Sequence, residues 1–430
     1  MATVRFCGTT LLACVLAVVV PGQAAGPAGS AHIPLPADLT GTHAGVPYRI
    51  LVPVDWNGTL LVYAHGTRLA GVGGPAAPEV APAAYPVPSP TLEQQLLASG
   101  YALAGSEYEN NVMTGVAATH ALTEYFNGAV GQPSRVMVWG CSLGGIVSTL
   151  LREKYPNVYD GAIACAGPGS DLIKVNDASL AFGLAYDVAF GWPADRWGPL
   201  EDVRDDLVFA VDVAPVFMTQ LPTTPDKMAR WEFIRRVTKI PSPAYWMPDP
   251  QFGVTFFAMA LWRATEGRAN WETAFRGVVT QNLDHVYTLT AADKVYLASL
   301  GMTNADELLA QMNARTDIEA DHAARVLAEI WSADGLLTRP LITLHSAYDG
   351  LTRTEAEGLF RDDVQQAGRE DELVQVYTAL PGHCSFSAPQ YLAVLGAMEQ
   401  WLDTGAKPDP SAFPASLGFA PGYVPAPWPF

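Results

Sequence analysis

A serine lies between two glycines in the segment "GCSLG", which runs from Gly140 to Gly144. The residues before it, "RVMVW", are typical of a strand, and the residues after it, "IVSTLLREKY", are typical of a helix. Glycines at such a sharp turn leave room for strained backbone angles and for a substrate. Ser142 would stand at a helix N-terminus, where free N–H groups and the helix dipole favour negative charge. The segment therefore predicts that Ser142 is a catalytic nucleophile.

Two later segments contain the acid and the base that a serine nucleophile needs. "LITLHSAYDG" ends a predicted strand with Asp349, and "TALPGHCSF" places His383 in a loop after the next predicted strand. Ser142 would attack an acyl carbonyl, while His383 would act first as a base and then as an acid. Asp349 would fix the tautomer of the imidazole and stabilise its charged form. This mechanism requires no metal ion and no organic cofactor.

The sequence also allows other roles for these residues. Asp160 and Asp171 flank another predicted strand and compete with Asp349 as the acid. Asp-Gly is a common turn signal, and a loop histidine is often only a surface residue. His345 falls within a predicted strand, which indicates a structural role. Cys141 is not the central residue of the turn, so it is not expected to be the nucleophile.

Backbone N–H groups are expected to stabilise the negative oxygen of the reaction intermediate. One is the N–H of Leu143, directly after the predicted nucleophile. The other belongs to Thr67, or else to Gly66, in the segment "VYAHGTR" that ends another predicted strand. The sequence therefore predicts an oxyanion hole built from two separate segments.

Strand-like and helix-like segments alternate over residues 32–170 and again over residues 334–406. This alternation is typical of a mostly parallel sheet with helices on both faces. Residues 171–333 instead show helical periodicity, and we call them the helical insertion, which is predicted to cover the site as a lid. The proline-rich tail, residues 407–430, is predicted to be extended rather than folded. The fold class expected is α/β, with one domain interrupted by the insertion.

The helical insertion is rich in tryptophan and phenylalanine. Most of these side chains are expected to form the core of the insertion itself. A few would face the serine and bind an aryl or acyl group, and the candidates are Trp246, Phe252 and Phe256. Tyr108, in the segment "YENN" after another predicted strand, is a further candidate for the lining of the site.

The composition excludes some partners. The 430 residues contain 25 basic and 43 acidic side chains, for a net charge of −18, which argues against nucleic acid and anionic membranes as partners. Residues 1–31 resemble a signal peptide, with a short apolar run and a cleavage site between about 24 and 31. No later stretch predicts a membrane-spanning helix. We expect an exported protein, extracellular or periplasmic, that acts on a small or polymer-linked ester.

Removal of the leader would leave three cysteines: Cys141, Cys165 and Cys384. Cys141 directly precedes the predicted nucleophile, and Cys384 directly follows the predicted base. If Ser142 and His383 lie within hydrogen-bonding distance, their neighbours can come within disulfide distance. The alternative is that both are unpaired core cysteines. Cys165, in a strand-like segment, is predicted to be a buried free thiol.

The turn at Ser142, followed along the chain by Asp349 and then His383, resembles the arrangement of catalytic residues in the α/β-hydrolase superfamily. The pairs Cys141-Ser142 and His383-Cys384 resemble the CS-D-HC arrangement of tannases and feruloyl esterases. This resemblance implies an exported enzyme that hydrolyses carboxylic esters, with phenolic acid esters as natural candidates and a lid between late strands. Members of that family usually have extra disulfides and a calcium loop, whereas this chain has one spare cysteine and no D-x-D-x-D-G motif.

Two other functions fit the same residues. An exported serine aminopeptidase or amidase would use the same triad, and Glu107 and Glu109 could hold a substrate ammonium. A binding module that kept the fold and lost the chemistry is the second alternative. The intact serine, aspartate and histidine favour an enzyme.

Overall fold

The computed structural model describes residues 31–68, 84–240, 250–283 and 285–429, and it describes only the backbone of residues 250–255. The signal peptide predicted for residues 1–31 therefore lies outside the described residues, apart from its last residue. Trp246 lies outside them as well.

Eight strands form one sheet in the order β1-β2-β4-β3-β5-β6-β7-β8. Only β2 runs against the others: it pairs antiparallel with β1 and β4, and the remaining pairs are parallel. This order, with its antiparallel second strand, is that of the α/β-hydrolase fold, so the predicted fold class is confirmed. The strands are β1 (Ala37–His43), β2 (Val46–Val52), β3 (Thr59–Ala64), β4 (Ala102–Ser106), β5 (Arg135–Cys141), β6 (Gly161–Cys165), β7 (Leu341–Ser346) and β8 (Leu373–Thr378).

Fourteen α-helices occur in the described residues. They are α1 (Pro90–Ala98), α2 (Val112–Ala129), α3 (Leu143–Lys154), α4 (Leu172–Phe190), α5 (Ala194–Trp197), α6 (Ala214–Thr219), α7 (Pro225–Val237), α8 (Pro250–Ala264), α9 (Glu266–Phe275), α10 (Ala291–Ser299), α11 (Ala305–Asn313), α12 (His322–Ile330), α13 (Glu355–Gln366) and α14 (Ala388–Thr404). A π-helical turn (Phe209–Val213) precedes α6, and short 3-10 turns occur at Glu370–Glu372, Pro410–Ala412 and Ala415–Leu417. None of the described helices is both long enough and apolar enough to cross a bilayer.

The central strands are apolar on both faces because helices cover both sides of the sheet. Every residue of β3 is buried, and its side chains alternate between two cores. Leu60 and Val62 pack with α2, α3 and α13, whereas Leu61 and Tyr63 pack with α1 and α14 on the other face. Burial on both faces explains why these strands read as continuous apolar runs in the sequence.

The helical insertion has a core of its own. Between β6 and β7 the described elements are all helical, and Trp197 and Trp231 are completely buried among them. Most aromatic residues of the insertion therefore serve its packing, as predicted. A single backbone bridge between Ser170 and Ala333 joins the two ends of the insertion. The chain thus enters and leaves the insertion at one place beside β6.

The C-terminal tail is packed rather than extended, which corrects the sequence prediction. Phe413 and Phe419 are buried in the core on the α1 and α14 face of the sheet. Backbone bonds of 3.0 and 2.8 Å join the segment from Gly418 to Ala420 to residues at the end of β8. The prolines of the tail limit regular structure, but its phenylalanines still bury apolar surface.

Candidate active site

Ser142 lies at a sharp turn between β5 and α3. Its backbone angles are φ 60° and ψ −124°, a strained conformation of the kind that hydrolases use to expose a nucleophile. The N–H of Ser142 donates to the carbonyl of Cys165 at 2.9 Å, which fixes the turn against the end of β6. The serine side chain makes no cap bond to α3, so its hydroxyl is not used to cap the helix.

The glycines around Ser142 have a different purpose from the one that the sequence suggested. A Cβ on Gly140 would lie 2.3 Å from the carbonyl oxygen of Ala64, and a Cβ on Gly144 would lie 2.0 Å from the same oxygen. Both positions must therefore be glycine because the turn packs directly on the backbone at the end of β3. This contact brings the loop after β3 next to the serine.

Asp349 and His383 lie side by side at the ends of β7 and β8. Nδ1 of His383 is 2.8 Å from Oδ2 of Asp349. The other carboxylate oxygen of Asp349 accepts the backbone N–H groups of Leu351 at 2.8 Å and Thr352 at 3.0 Å. Burial alone would raise the pKa of Asp349, but the adjacent rings of His383 and His345 hold it well below its usual range. Asp349 is therefore a fixed, ionised partner for the histidine.

The second ring nitrogen of His383 has no hydrogen-bond partner among the described residues, although it is buried. Because Asp349 occupies Nδ1, the proton of a neutral ring is held there and Nε2 carries the lone pair. A buried hydrogen-bond acceptor without a partner costs folding free energy. Nε2 is thus free to accept a proton, and the hydrogen bonds of the described residues include none between it and the hydroxyl of Ser142.

A disulfide joins Cys141 to Cys384, with Cα atoms 6.1 Å apart and a sequence separation of 243. It links the residue before Ser142 to the residue after His383. The loop of His383 is therefore attached covalently to the turn of Ser142. Cys165 is a buried free thiol, as predicted.

His345 lies next to Asp349, and its partners were not predictable from the sequence. Its Nε2 is 3.5 Å from Oδ2 of Asp349, and its Nδ1 is 2.9 Å from Oε1 of Glu357; all three side chains are fully buried. Burial alone would lower the pKa of His345, but the two carboxylates outweigh that effect and raise it to about 10. His345 is therefore a buried cation between two carboxylates.

Glu357 is held in turn by two polar side chains from the sheet. Its Oε2 accepts the hydroxyl of Thr343 at 2.6 Å and the amide of Gln375 at 2.8 Å. A continuous line of hydrogen bonds and charges therefore runs from His383 through Asp349 and His345 to Glu357. Asp349 and His383 were identified from the sequence and His345 was predicted to be structural. Glu357 was not identified, because it reaches the site from α13.

The competing acids lie elsewhere. Asp160 accepts the N–H of Val136 at 2.8 Å, which places it at the opposite end of β5 from Ser142. Asp171 caps α4 by accepting the N–H of Lys174 at 3.0 Å, and it pairs with the ammonium group of the same lysine. Within the described residues, neither carboxylate forms a hydrogen bond with His383.

The predicted oxyanion segment lies beside the serine. A Cβ on Gly66 would come within 3.3 Å of the Cβ of Ser142, so the backbone of Gly66 passes close to Ser142. Leu143 is the first residue of α3, and the first N–H groups of a helix have no acceptor within it. The N–H of Leu143 and the loop at Gly66 thus both lie beside Ser142.

Tyr108 packs against His65 in the predicted oxyanion segment, and it does not line the site. Its hydroxyl donates to the carbonyl of His65 at 2.6 Å, and the two rings stack with centroids 3.9 Å apart. Tyr108 itself is only 3% exposed. Glu107 pairs with Arg68 at 2.5 Å, and Asn110 accepts the N–H of Arg68 at 2.8 Å. The "YENN" segment therefore clamps the loop after β3.

Of the aromatic candidates in the insertion, the structure describes the side chain of Phe256 alone. Its ring lies against the backbone of Gly350, where a Cβ would come within 2.7 Å of it, and it lines a cavity beside the loop of Asp349. Phe252 lies in α8, but its side chain is outside the described residues, as is all of Trp246.

Comparisons with known proteins give distant similarities. No protein-family model matches the chain. In sequence it is similar to an o-phthalyl amidase from Xanthobacter agilis, with 23% identity over 428 residues that cover 88% of this chain and 89% of that protein. Among solved structures it is similar to an esterase from Aspergillus oryzae, with 17% identity, a TM-score of 0.42, and 86% and 80% of the two chains covered. It is also similar to feruloyl esterase B from Aspergillus oryzae, with 15% identity, a TM-score of 0.38, and 86% and 81% of the two chains covered. The fold assignment made above rests on the strand order.

Proposed function

We propose that the chain is an exported serine hydrolase that cleaves carboxylic esters through an acyl-enzyme on Ser142. The observation that carries this proposal is the arrangement of His383. The ring is held by Asp349 through Nδ1, its Nε2 has no partner among the described residues, and its loop is attached by a disulfide to the strained turn of the serine.

In the proposed reaction, the hydroxyl proton of Ser142 passes to Nε2 of His383 while Oγ forms a bond to the acyl carbon. The N–H of Leu143, with that of Gly66 or Thr67, binds the negative oxygen of the tetrahedral intermediate. The imidazolium then gives its proton to the leaving alcohol as the ester bond breaks. Water attacks the acyl-enzyme by the same steps, which releases the carboxylic acid and restores the serine.

Amide hydrolysis is the second candidate, and one observation favours it. A relative whose sequence matches over most of both chains is by name an o-phthalyl amidase. The same triad serves both reactions. Within this candidate, Glu107 is already paired with Arg68, which leaves Glu109 as the carboxylate that could hold the ammonium group of an aminopeptidase substrate.

Paired substrates test the proposal and separate its two forms. The purified protein would be assayed with 4-nitrophenyl esters and 4-nitroanilides of the same aromatic acids, beside methyl ferulate. We expect turnover of the esters, and Ser142→Ala should lower kcat/KM by at least about 10³-fold because the nucleophile is lost. Faster cleavage of the anilides would favour the amidase.

A fluorophosphonate probe gives an independent measurement. The wild-type protein should be labelled on Ser142, and the folded Ser142→Ala variant should stay unlabelled. Absence of both labelling and turnover in a folded protein would contradict the proposed function and favour a binding module without catalysis.

A further inference from the structure

A cavity of about 60 Å³ lies between the helical insertion and the loop that carries Asp349. Its walls come from α4, α8, the residues after α7 and the segment from Ala347 to Glu355. Most of the lining is apolar, and Phe182, Ile240 and Phe256 are among the larger side chains. Since a single water needs about 10–15 Å³ measured in this way, the cavity can hold a small chemical group and not a whole substrate.

Arg263, on α8, brings a positive charge to this apolar cavity. Its one hydrogen bond among the described residues is a long one of 3.5 Å, from Nη2 to Oδ1 of Asn176. Its guanidinium group stands over the ring of Trp271 at 5.5 Å. Burial lowers the pKa of Arg263 to about 10. No described carboxylate forms an ion pair with Arg263.

Arg263 is half-buried, whereas two arginines of the insertion that are buried do have such a partner. Arg235 pairs with Glu232 at 2.8 Å, and Arg268 pairs with Glu272 at 2.6 Å. Buried charges are normally paired because removal of a charge from water costs free energy. Arg152 also lacks a partner among the described residues, but it lines neither of the two cavities found there. Arg263 differs from Arg152 in facing a space that a ligand can occupy.

The other charged groups of the cavity are already neutralised within the protein. Asp349 lies between His383 and His345. Glu355 is 3.6 Å from Arg353, whose two terminal nitrogens donate to the carbonyls of Thr238 and Lys239. The net charge that the cavity offers to a ligand is therefore that of Arg263.

We propose that Arg263 binds a free carboxylate of the substrate, so that the enzyme prefers half-esters or half-amides of aromatic dicarboxylic acids. This inference rests on the proposed function. Asp349 lines the cavity, whereas Ser142 and His383 do not, so a group held in it lies on the Asp349 side of the triad. Arg263 supplies the charge for the carboxylate, and the apolar wall with Phe256 suits an aryl ring.

The test compares substrates that differ in one charge. kcat/KM would be measured for monomethyl and dimethyl phthalate, and for the corresponding methylamides. In the wild type the ratio of acid to neutral substrate should exceed about 10, as expected of a buried charge-assisted contact. Arg263→Gln should bring this ratio close to one. Arg230→Gln is the matched control, because Arg230 lies on α7 and pairs with Asp226 at 2.9 Å and should leave the ratio unchanged.

Binding without turnover separates failure of this site from failure of the proposed function. The Kd of monomethyl phthalate would be measured by calorimetry on Ser142→Ala, alone and combined with Arg263→Gln. The second change should weaken binding by at least about 10-fold. Binding without turnover in the wild type would overturn the hydrolase and keep the site. Equal Kd values, or an equal substrate ratio in wild type and Arg263→Gln, would overturn the site.

Thermal unfolding of Arg263→Gln shows whether a loss of binding in this variant comes from a loss of stability. Because this arginine has no ion-pair partner in the described protein, its removal should not lower Tm. A clear fall in Tm would mean that Arg263 holds the fold together, and it would count against a role in binding.

Discussion

At the scale of single residues, the carboxylate of Asp349 serves two imidazoles. Its Oδ2 lies 2.8 Å from His383 and 3.5 Å from His345. The two rings have different environments, since His345 is fully buried between two carboxylates whereas His383 keeps 11% of its side-chain surface exposed. The buried ring fixes the position of the aspartate, and the more accessible ring is the one that we propose to transfer protons.

The charge on His345 predicts how stability depends on pH. Its pKa rises from the usual 6.5 to about 10 in the folded protein, because Asp349 and Glu357 stabilise the imidazolium. The stabilisation is therefore fully present below about 6.5 and is lost as pH rises towards 10. We expect Tm to fall over this interval in the wild type and to fall less in His345→Gln.

Scanning calorimetry at several values between pH 6.5 and 10 measures this effect. Glu357→Gln is a second variant that should flatten the pH dependence, since it removes one of the two carboxylates. Other groups titrate near pH 10, so the difference between variant and wild type is the quantity of interest. Identical slopes in all three proteins would show that His345 is not charged in the folded state.

At the scale of elements, the junction of β3, β5 and α3 sets the position of the nucleophile. Gly144→Ala would place a Cβ 2.0 Å from the carbonyl oxygen of Ala64. Backbone atoms cannot move aside cheaply, so we expect a loss of about 3 kcal/mol or more in the free energy of unfolding. Chemical denaturation would measure it.

Gly396→Ala is the matched control for this substitution. Gly396 lies in the middle of α14, and a Cβ there would meet nothing within 4 Å. The same change should therefore stabilise the protein by up to about 1 kcal/mol, the difference in helix propensity. A similar loss in both variants would contradict the steric explanation.

The elements near the site were largely predictable, and those that were missed have a physical reason. The segment "VMVW" before Ser142 and the glycine-containing loop of His383 are local signals. β1 was missed because its sequence, ADLTGTH, has a single large apolar residue and an irregular burial pattern. Glu357 and the clamping role of Tyr108 were missed because their contacts depend on how distant elements pack.

At the scale of the whole molecule, the disulfide joins two parts of the chain separated by 243 residues. In the chain-entropy model, a loop of this length contributes roughly 5 kcal/mol to stability. Reduction, or Cys141→Ser combined with Cys384→Ser, should lower Tm and reduce the hydrolase activity, because the loop of His383 is released. Thermal unfolding and kinetics with and without a reductant would measure both effects.

Cys165→Ala is the control, since Cys165 is a buried free thiol outside the disulfide. This variant should keep its response to the reductant, and the double serine variant should lose it. If a reductant changed neither Tm nor activity in the wild type, the two cysteines would not be linked in the protein in solution.

The bridge between Ser170 and Ala333 has a consequence for how proteins of this kind diversify. An insertion whose ends meet can be lengthened, shortened or replaced while the strands on either side keep their order. The residues proposed to choose the substrate, Arg263 and Phe256, belong to that exchangeable part. The preference for a substrate can therefore change when the insertion is exchanged, while Ser142, Asp349 and His383 stay the same.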